Sequence, residues 1–255
     1  MPIRKNIEGS QTAPEALLHE RHVLAYEYTL EHLKPGDRVL EIGHGDGYGL
    51  HMLSQKTDIV GLDIDPEIVA HAKSKYGDKF FHKYDGSHVP FEDRTFNAVC
   101  LFQVIEHIQD DLAILKEIRR VLNDGGVLYL TTPNRVMRVP YGEKPWNEEH
   151  VREYYPEELK QVMLDAGFSE VKILGIDASD AYRETELRRV ARARKLRRLD
   201  PLNLRKLLPD QILYDVGRWV VRSGSGAETN KPTGGFYVSE AEVYRSLDLL
   251  GLGVR

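Results

Sequence analysis

Hydrophobic positions along this chain switch repeatedly between helical and strand-like spacing. Over 13–33, Leu17, Leu18, Leu24, Tyr28 and Leu33 recur at helical spacing, and Lys34-Pro35-Gly36-Asp37 stops the run. Short apolar runs then predict strands at Arg38–Ile42, Asp58–Asp63, Phe80–Tyr84, Asn97–Phe102, Val127–Thr132 and Glu170–Ile176. Between them the spacing predicts helices at Tyr48–Gln55, Pro66–Tyr76, Asp110–Val121 and Pro156–Ala166. Pro66 suits the first helical position, Asn123-Asp124-Gly125-Gly126 closes the third of these helices, and Gly167 ends the fourth. Strands alternating with helices imply an α/β fold with a doubly wound, Rossmann-like parallel sheet.

The alternation breaks after residue 179. Residues 180–222 read as two helices broken near Asp200-Pro201, and 223–235 (SGSGAETNKPTGG) reads as a loop. Phe236–Ser239 then predicts a last strand. Ser239 followed by Glu242 has the spacing of a capping box and predicts a final helix. The expected layout is a core over 1–179 with an N-terminal helical cover, a helical insertion over 180–235, and a last strand and helix over 236–255. About seven strands are expected, with the last one antiparallel.

Composition adds limits. The chain has 255 residues, 41% hydrophobic and 29% charged, which excludes a largely disordered protein. No apolar run reaches the roughly 20 residues of a membrane span. The first residues, MPIRKNIEGSQTAPEALL, lack the apolar stretch of a signal peptide, so a cytoplasmic location is expected. One cysteine, Cys100, excludes an internal disulfide framework and a Cys-cluster metal site. His19 and His22 share a helix face without a third ligand in view, so no metal is expected there. The net charge of −5 disfavours bulk nucleic-acid binding. It hides an asymmetry, because 183–206 carries ten Arg/Lys against three Asp/Glu. That stretch is a solvated helix face, or a contact for an anionic partner such as the inner face of a membrane or an RNA.

The densest chemistry lies in Val39-Leu40-Glu41-Ile42-Gly43-His44-Gly45-Asp46-Gly47-Tyr48-Gly49, where a strand enters a glycine-rich turn and then a helix. Glycines let the backbone approach a ligand, and a helix start offers free N–H groups. A dinucleotide fingerprint counted from Gly43 or Gly45 requires glycine at 48 or 50, where Tyr48 and Leu50 stand, which disfavours an NAD-dependent oxidoreductase.

The run E-x-G-x-G-x-G resembles motif I of the class I S-adenosylmethionine (SAM)-dependent methyltransferases. Five further segments fall in order at the right strand ends. They are Asp63 after the second strand, Asp85-Gly86-Ser87 after the third, and Leu101 to His107, which resembles the x-x-E-H-[IV] signature of ubiquinone-type, sugar and polyketide methyltransferases. Gly125 to Asn134 and His150 to Phe168 complete the set. The resemblance covers about 15–178 and 236–250 and leaves the insertion outside.

It implies SAM as methyl donor and S-adenosylhomocysteine as product. The implied cofactor contacts are Tyr26, Glu41, Gly43, Gly45, Gly47, Asp63, Ile64, Asp85, Gly86 and Gln103. In this reading Asp63 accepts the ribose hydroxyls and Asp85 faces the adenine amino group. Glu41 acts through the glycine loop or reaches the methionine amino group, and Tyr26 covers the cofactor. His44 stands where relatives often have a small residue and is expected to point to solvent.

Methyl transfer to a hydroxyl needs a positioned acceptor and removal of a proton, for which histidine suits near neutral pH. His107 is the first candidate base and His150 the second, with Glu106 positioning His107 or binding substrate. Each also has a plain structural reading, as a loop-ordering or lid residue. The chain lacks the [DNS]-P-P-[YFW] segment of amino-methylating nucleic-acid enzymes and the two-glutamate loop of protein arginine methyltransferases. Cys100 falls inside an expected buried strand, where thiols are inert. The expected reaction is therefore O-methylation of a small molecule, sugar or lipid-linked acceptor, with C- and N-methylation left open. An RNA methyltransferase using the basic helices and a non-catalytic SAM-binding scaffold are the alternatives. The expected state is a monomer or a homodimer.

Overall fold

In the computed structural model, the described residues are 13–78, 80–139, 143–145, 147–199 and 235–255. The first elements are α1 (Ala13–His32), β1 (Arg38–Ile42), α2 (Tyr48–Leu53), β2 (Asp58–Asp63), α3 (Pro66–Tyr76) and β3 (Phe81–Lys83). Next come β4 (Phe96–Phe102), α4 (Asp111–Val121), β5 (Leu122–Pro133), the one-turn α5 (Arg135–Arg138), α6 (Pro156–Asp165) and β6 (Glu170–Asp177). The chain ends with α7 (Asp180–Leu199), β7 (Tyr237–Ser239) and β8 (Asp248–Val254). Helix starts follow local chemistry. Asp65 Oδ1 accepts Glu67 N–H at 2.8 Å ahead of α3, and Asp110 Oδ1 accepts Ala113 N–H at 3.0 Å ahead of α4.

One eight-stranded sheet has the order β3-β2-β1-β4-β5-β8-β6-β7. Pairing from β3 through β5 is parallel, and β8 runs antiparallel to both β5 and β6. Alternate strand residues feed two cores. On one face Leu40, Ile42, Val99, Leu101, Leu128 and Leu130 pack with Ile114, Leu115, Ile118 and Met163. The other face gathers Val39, Ile59, Ala98, Cys100 and Tyr129 with Tyr26, Leu50 and Ala72. Burial of both faces is what a sheet covered by helices on each side requires.

The C-terminal ends of β1 and β4 lie side by side where the strand order reverses. Connections leave this point in opposite directions and open a crevice there.

The expected final helix does not form. After β7 the chain makes a short 3-10 turn at Val243–Arg245 and then enters β8, which lies between β5 and β6. Gly251 and Gly253 explain both the difference and the strand. A Cβ at Gly251 would lie 3.0 Å from Met163 Sδ, and one at Gly253 would lie 2.9 Å from Phe168 Cδ1. The close packing of this strand on α6 needs residues without side chains. β5 also starts earlier than expected, at Leu122, and so takes in Asn123-Asp124-Gly125-Gly126.

Contacts divide the chain into two units, Met1–Asp177 with Phe236–Arg255, and Ala178–Gly235. Within the second unit α7 carries an Arg188–Glu184 ion pair at 2.6 Å. The second helix and the loop expected over 200–234 lie outside the described residues. No helix among the described residues is long and apolar enough to cross a membrane.

Candidate active site

The glycine loop leaves β1 at the crevice. Gly43 N–H donates to Leu62 O at 2.7 Å, which ties the loop to β2. Gly43 has φ +77°, and a Cβ there would overlap the Val104 side chain, so both conformation and space demand glycine. Gly45, at φ +56°, has nothing within 4 Å of its Cβ position. The open space beside this half-buried backbone can therefore admit a ligand closely.

Asp63 ends β2 and is buried. Its Oδ2 accepts Gly45 N–H at 3.3 Å and its Oδ1 accepts Asp65 N–H at 3.0 Å. Next to it, Ile64 is 60% exposed, an apolar side chain left in water at the strand end. Asp85 is exposed, and its Oδ1 accepts Ser87 N–H, Ser87 Oγ–H and His88 N–H. These bonds hold its carboxyl below the usual range. A Cβ at Gly86 would lie 3.2 Å from Ile64 Cγ2, which places these two residues together.

A cavity of about 160 Å³ opens beside the loop. Tyr26, Gly43, His44, Gly45 and Gln103 are among the residues that line it. Gln103 sits at φ +56°, an uncommon conformation for a non-glycine residue. Its backbone N–H donates to Thr131 O at 2.9 Å, and its Nε2 donates to Thr131 Oγ1 at 3.3 Å.

Glu41 is buried below the loop. Its Oε1 accepts the Tyr26 hydroxyl at 2.5 Å, while its Oε2 has no hydrogen-bond partner. Burial pushes its carboxyl up to about 7, against which the Tyr26 hydrogen bond acts. The observed partner of Glu41 is thus α1, through Tyr26.

His44 does not point to solvent as expected. It is 3% exposed, its ring meets Phe81 edge-on at 4.8 Å, and its Nδ1 lies 2.9 Å from Gly45 O. The apolar bed under the loop is deep enough to take the ring, and burial lowers its pKa.

Two wall residues escaped the sequence reading. Arg21 on α1 and Asp248 at the start of β8 form a buried ion pair, Nε to Oδ2, at 2.7 Å. Arg138 reaches the other oxygen of Asp248 at 3.4 Å. An arginine on the inward face of α1 was the available signal for Arg21. Asp248 was hidden because its strand was not expected.

The candidate catalytic residues come together on a rim built from the β4–α4 connection and the segment before α6. Val151 N–H donates to Glu106 O at 2.7 Å, and Tyr154 Oη–H donates to Asp111 Oδ2 at 2.7 Å. These bonds fasten the two segments together. The His107 and His150 rings meet edge to face, 4.9 Å between centroids. His107 Nδ1 lies 3.0 Å from Glu149 O, and His150 Nδ1 lies 2.8 Å from Glu153 Oε1. Glu106 is buried and accepts Thr132 Oγ1–H at 3.1 Å. Burial pushes its carboxyl up to about 8 and lowers the pKa of His107. The His107 ring is thus fixed by the Glu149 carbonyl. On α1, burial and the neighbouring Arg21 push His22 down to about 3.

Comparison with known proteins gives the family. The family model described as "Methyltransferase domain" matches residues 12–173. A Mycobacterium tuberculosis protein named "Probable S-adenosylmethionine-dependent methyltransferase" is 31% identical over 192 residues, 73% of this chain and 70% of that protein. The chain belongs to the SAM-dependent methyltransferases. A ubiquinone biosynthesis O-methyltransferase of Aliivibrio fischeri is 28% identical over 126 residues, 46% of this chain and 54% of that protein. The crystal structure of a SAM-dependent methyltransferase from Thermotoga maritima shares the fold, with TM-score 0.58 and 18% identity, covering 95% of this chain and 97% of that one.

The residues present fit SAM. The open backbone at Gly45, the carboxylate of Asp63 and the exposed Ile64 offer a close approach, a hydroxyl acceptor and an apolar platform. When bound, this methyltransferase's cofactor supplies a methyl group activated on a sulfonium. The chain's own residues would hold that donor within reach of an acceptor.

Proposed function

We propose that this methyltransferase modifies a hydroxyl on a small molecule, sugar or lipid-linked intermediate, with a rim histidine handling the acceptor's proton. The observation that carries the reading is the anchoring of both rings through Nδ1. With Nδ1–H donating to Glu149 O or to the Glu153 carboxylate, each Nε2 keeps a lone pair for a proton. Burial favours the neutral His107 ring, the form that accepts a proton at neutral pH.

In this reading Asp63, Ile64, Asp85 and Gly86 take the nucleoside end of the donor. Tyr26, Gly43, Gly45, Gly47 and Gln103 enclose its methionine end, with Glu41 bracing Tyr26. The test uses SAM carrying a radiolabelled methyl group, incubated with the enzyme and a cell extract and then fractionated. Label in ether linkage within the lipid, glycan or small-molecule fraction is the expected result. RNase-sensitive label, or label on nitrogen or carbon, would overturn the reading.

A further inference from the structure

Three large apolar side chains, Val136, Val151 and Tyr244, are left exposed on segments joined to the rim. Val151 N–H donates to Glu106 O at 2.7 Å, and Arg135 N–H, at the start of α5, donates to Tyr154 O at 3.0 Å. Buried Asn134 ties in the rest. Its Oδ1 accepts Val136 N–H at 3.1 Å, and its Nδ2 donates to Val243 O and Ser246 O, both at 2.9 Å. The three side chains therefore belong to one set of fastened loops. Exposed apolar groups are ordinary when scattered singly, but grouped ones mark a contact. Tyrosine, with an apolar ring and a polar hydroxyl, suits the boundary between lipid and water.

The second unit supplies a separate observation. α7 carries eight Arg/Lys from Arg183 to Arg198, against Glu184 and Glu186 over the same span. Arg183 is buried and pairs with Asp180 at 2.5 Å. Tyr182, Glu186 and Val190 are buried at steps of four residues, while Arg188, Ala191 and Lys195 are exposed on the opposite side of the helix. Arg188 pairs with exposed Glu184 at 2.6 Å, and exposed pairs of this kind are weak enough to exchange partners. Between Arg183 and Lys206 there is no aromatic residue on which a base could stack, and the remainder of the chain is acidic, as the net charge of −5 requires. Both facts favour lipid headgroups over RNA as the anionic partner.

We propose that the protein binds an anionic membrane surface and takes a lipid-linked alcohol from it as acceptor. α7 supplies salt-sensitive attraction to the headgroups, and Val136, Val151 and Tyr244 supply apolar contact. The acceptor class rests on the hydroxyl reading above, and the membrane contact does not.

The experiment sediments the full chain with vesicles of phosphatidylcholine, alone or mixed with phosphatidylglycerol. The expected result is binding to the mixed vesicles at low salt, lost at high salt, with little binding to phosphatidylcholine alone. Arg188→Gln combined with Lys195→Gln should weaken binding about 25-fold, at about fivefold per charge. Val136→Ser combined with Tyr244→Ser should weaken it at least about tenfold and keep the salt dependence. S-adenosylhomocysteine binding in each variant reports that the fold is intact. Equal binding to both vesicle types, no binding to either, or affinity unchanged in either double variant overturns the proposal. RNA binding in place of vesicle binding does the same. Methyl label from SAM confined to water-soluble products overturns the lipid-linked acceptor. Vesicle binding with lipid label on nitrogen or carbon keeps the membrane contact and overturns the hydroxyl reading instead.

Discussion

Removing the Tyr26 hydroxyl tests the brace between α1 and the end of β1, below the glycine loop. In the intact protein Glu41 is 1% exposed, and the Tyr26 hydroxyl at 2.5 Å serves its Oε1 while Oε2 has no partner. Tyr26→Phe therefore leaves a buried carboxyl without that donor. Such a loss costs about 1–3 kcal/mol for a neutral group and more for a charged one. The sign of the pH effect follows from Glu41, whose pKa rises from 4.5 to about 7 on folding. A raised acid favours the folded state fully below its unfolded value, and this benefit disappears as pH rises through the folded value. The difference between 4.5 and about 7 corresponds to roughly 3 kcal/mol. Because the Tyr26 bond holds that pKa down, its removal steepens the loss. Urea denaturation should give a cost for Tyr26→Phe of about 1 kcal/mol at about pH 5.5 and about 3 kcal/mol at about pH 8. The double variant with Glu41→Gln should remove most of the difference between the two pH values. An equal cost at both values, or a pH dependence that survives Glu41→Gln, refutes the role given to the brace.

Three further outcomes are expected. Asp248→Asn removes the charge that Arg21 and Arg138 share in a buried setting, and should cost about 3–5 kcal/mol in urea denaturation; a cost under about 1 kcal/mol would contradict the role given to the pair. Asp63→Ala should weaken S-adenosylhomocysteine binding at least about tenfold by calorimetry, and unchanged affinity would remove Asp63 from the cofactor site. His107→Ala should lower turnover by about 10²–10⁴-fold with donor affinity nearly unchanged, whereas full turnover would leave the ring a structural role.

Most strands and helices of the core were legible because alternate residues of each central strand are buried on opposite faces and the helices carry their own start signals. Asp65 and Asp110 cap α3 and α4 with side-chain bonds that their residue type and position anticipate. β8 was not legible. Asp248-Leu249-Leu250-Gly251-Leu252-Gly253-Val254 has the leucines of a helix and the glycines of a loop, and it becomes a strand because α6 packs closely against those glycines. The burial of His44 was hidden for a related reason. Whether a loop side chain turns inward depends on the space beneath it, which here is set by Phe81 from another strand.

The same contrast divides the site. The proposed donor half lies at strand ends, where a glycine run and an acid after the next strand are read in chain order. The proposed acceptor half depends on one segment reaching another. The His107 ring is fixed by a carbonyl at Glu149, and a carbonyl is offered by every residue, so no residue type signals that bond. His150 is different, since Glu153 stands three residues later and carries a recognisable carboxylate, yet the spacing alone does not reveal that the carboxylate is buried. Burial is the decisive fact, because it turns an ordinary acid into a fixed partner for Nδ1 and leaves Nε2 as the ring's remaining nitrogen. The chemistry of the rim therefore follows from how two loops are fastened together, and substitutions at Glu153 should change that chemistry without touching the acceptor.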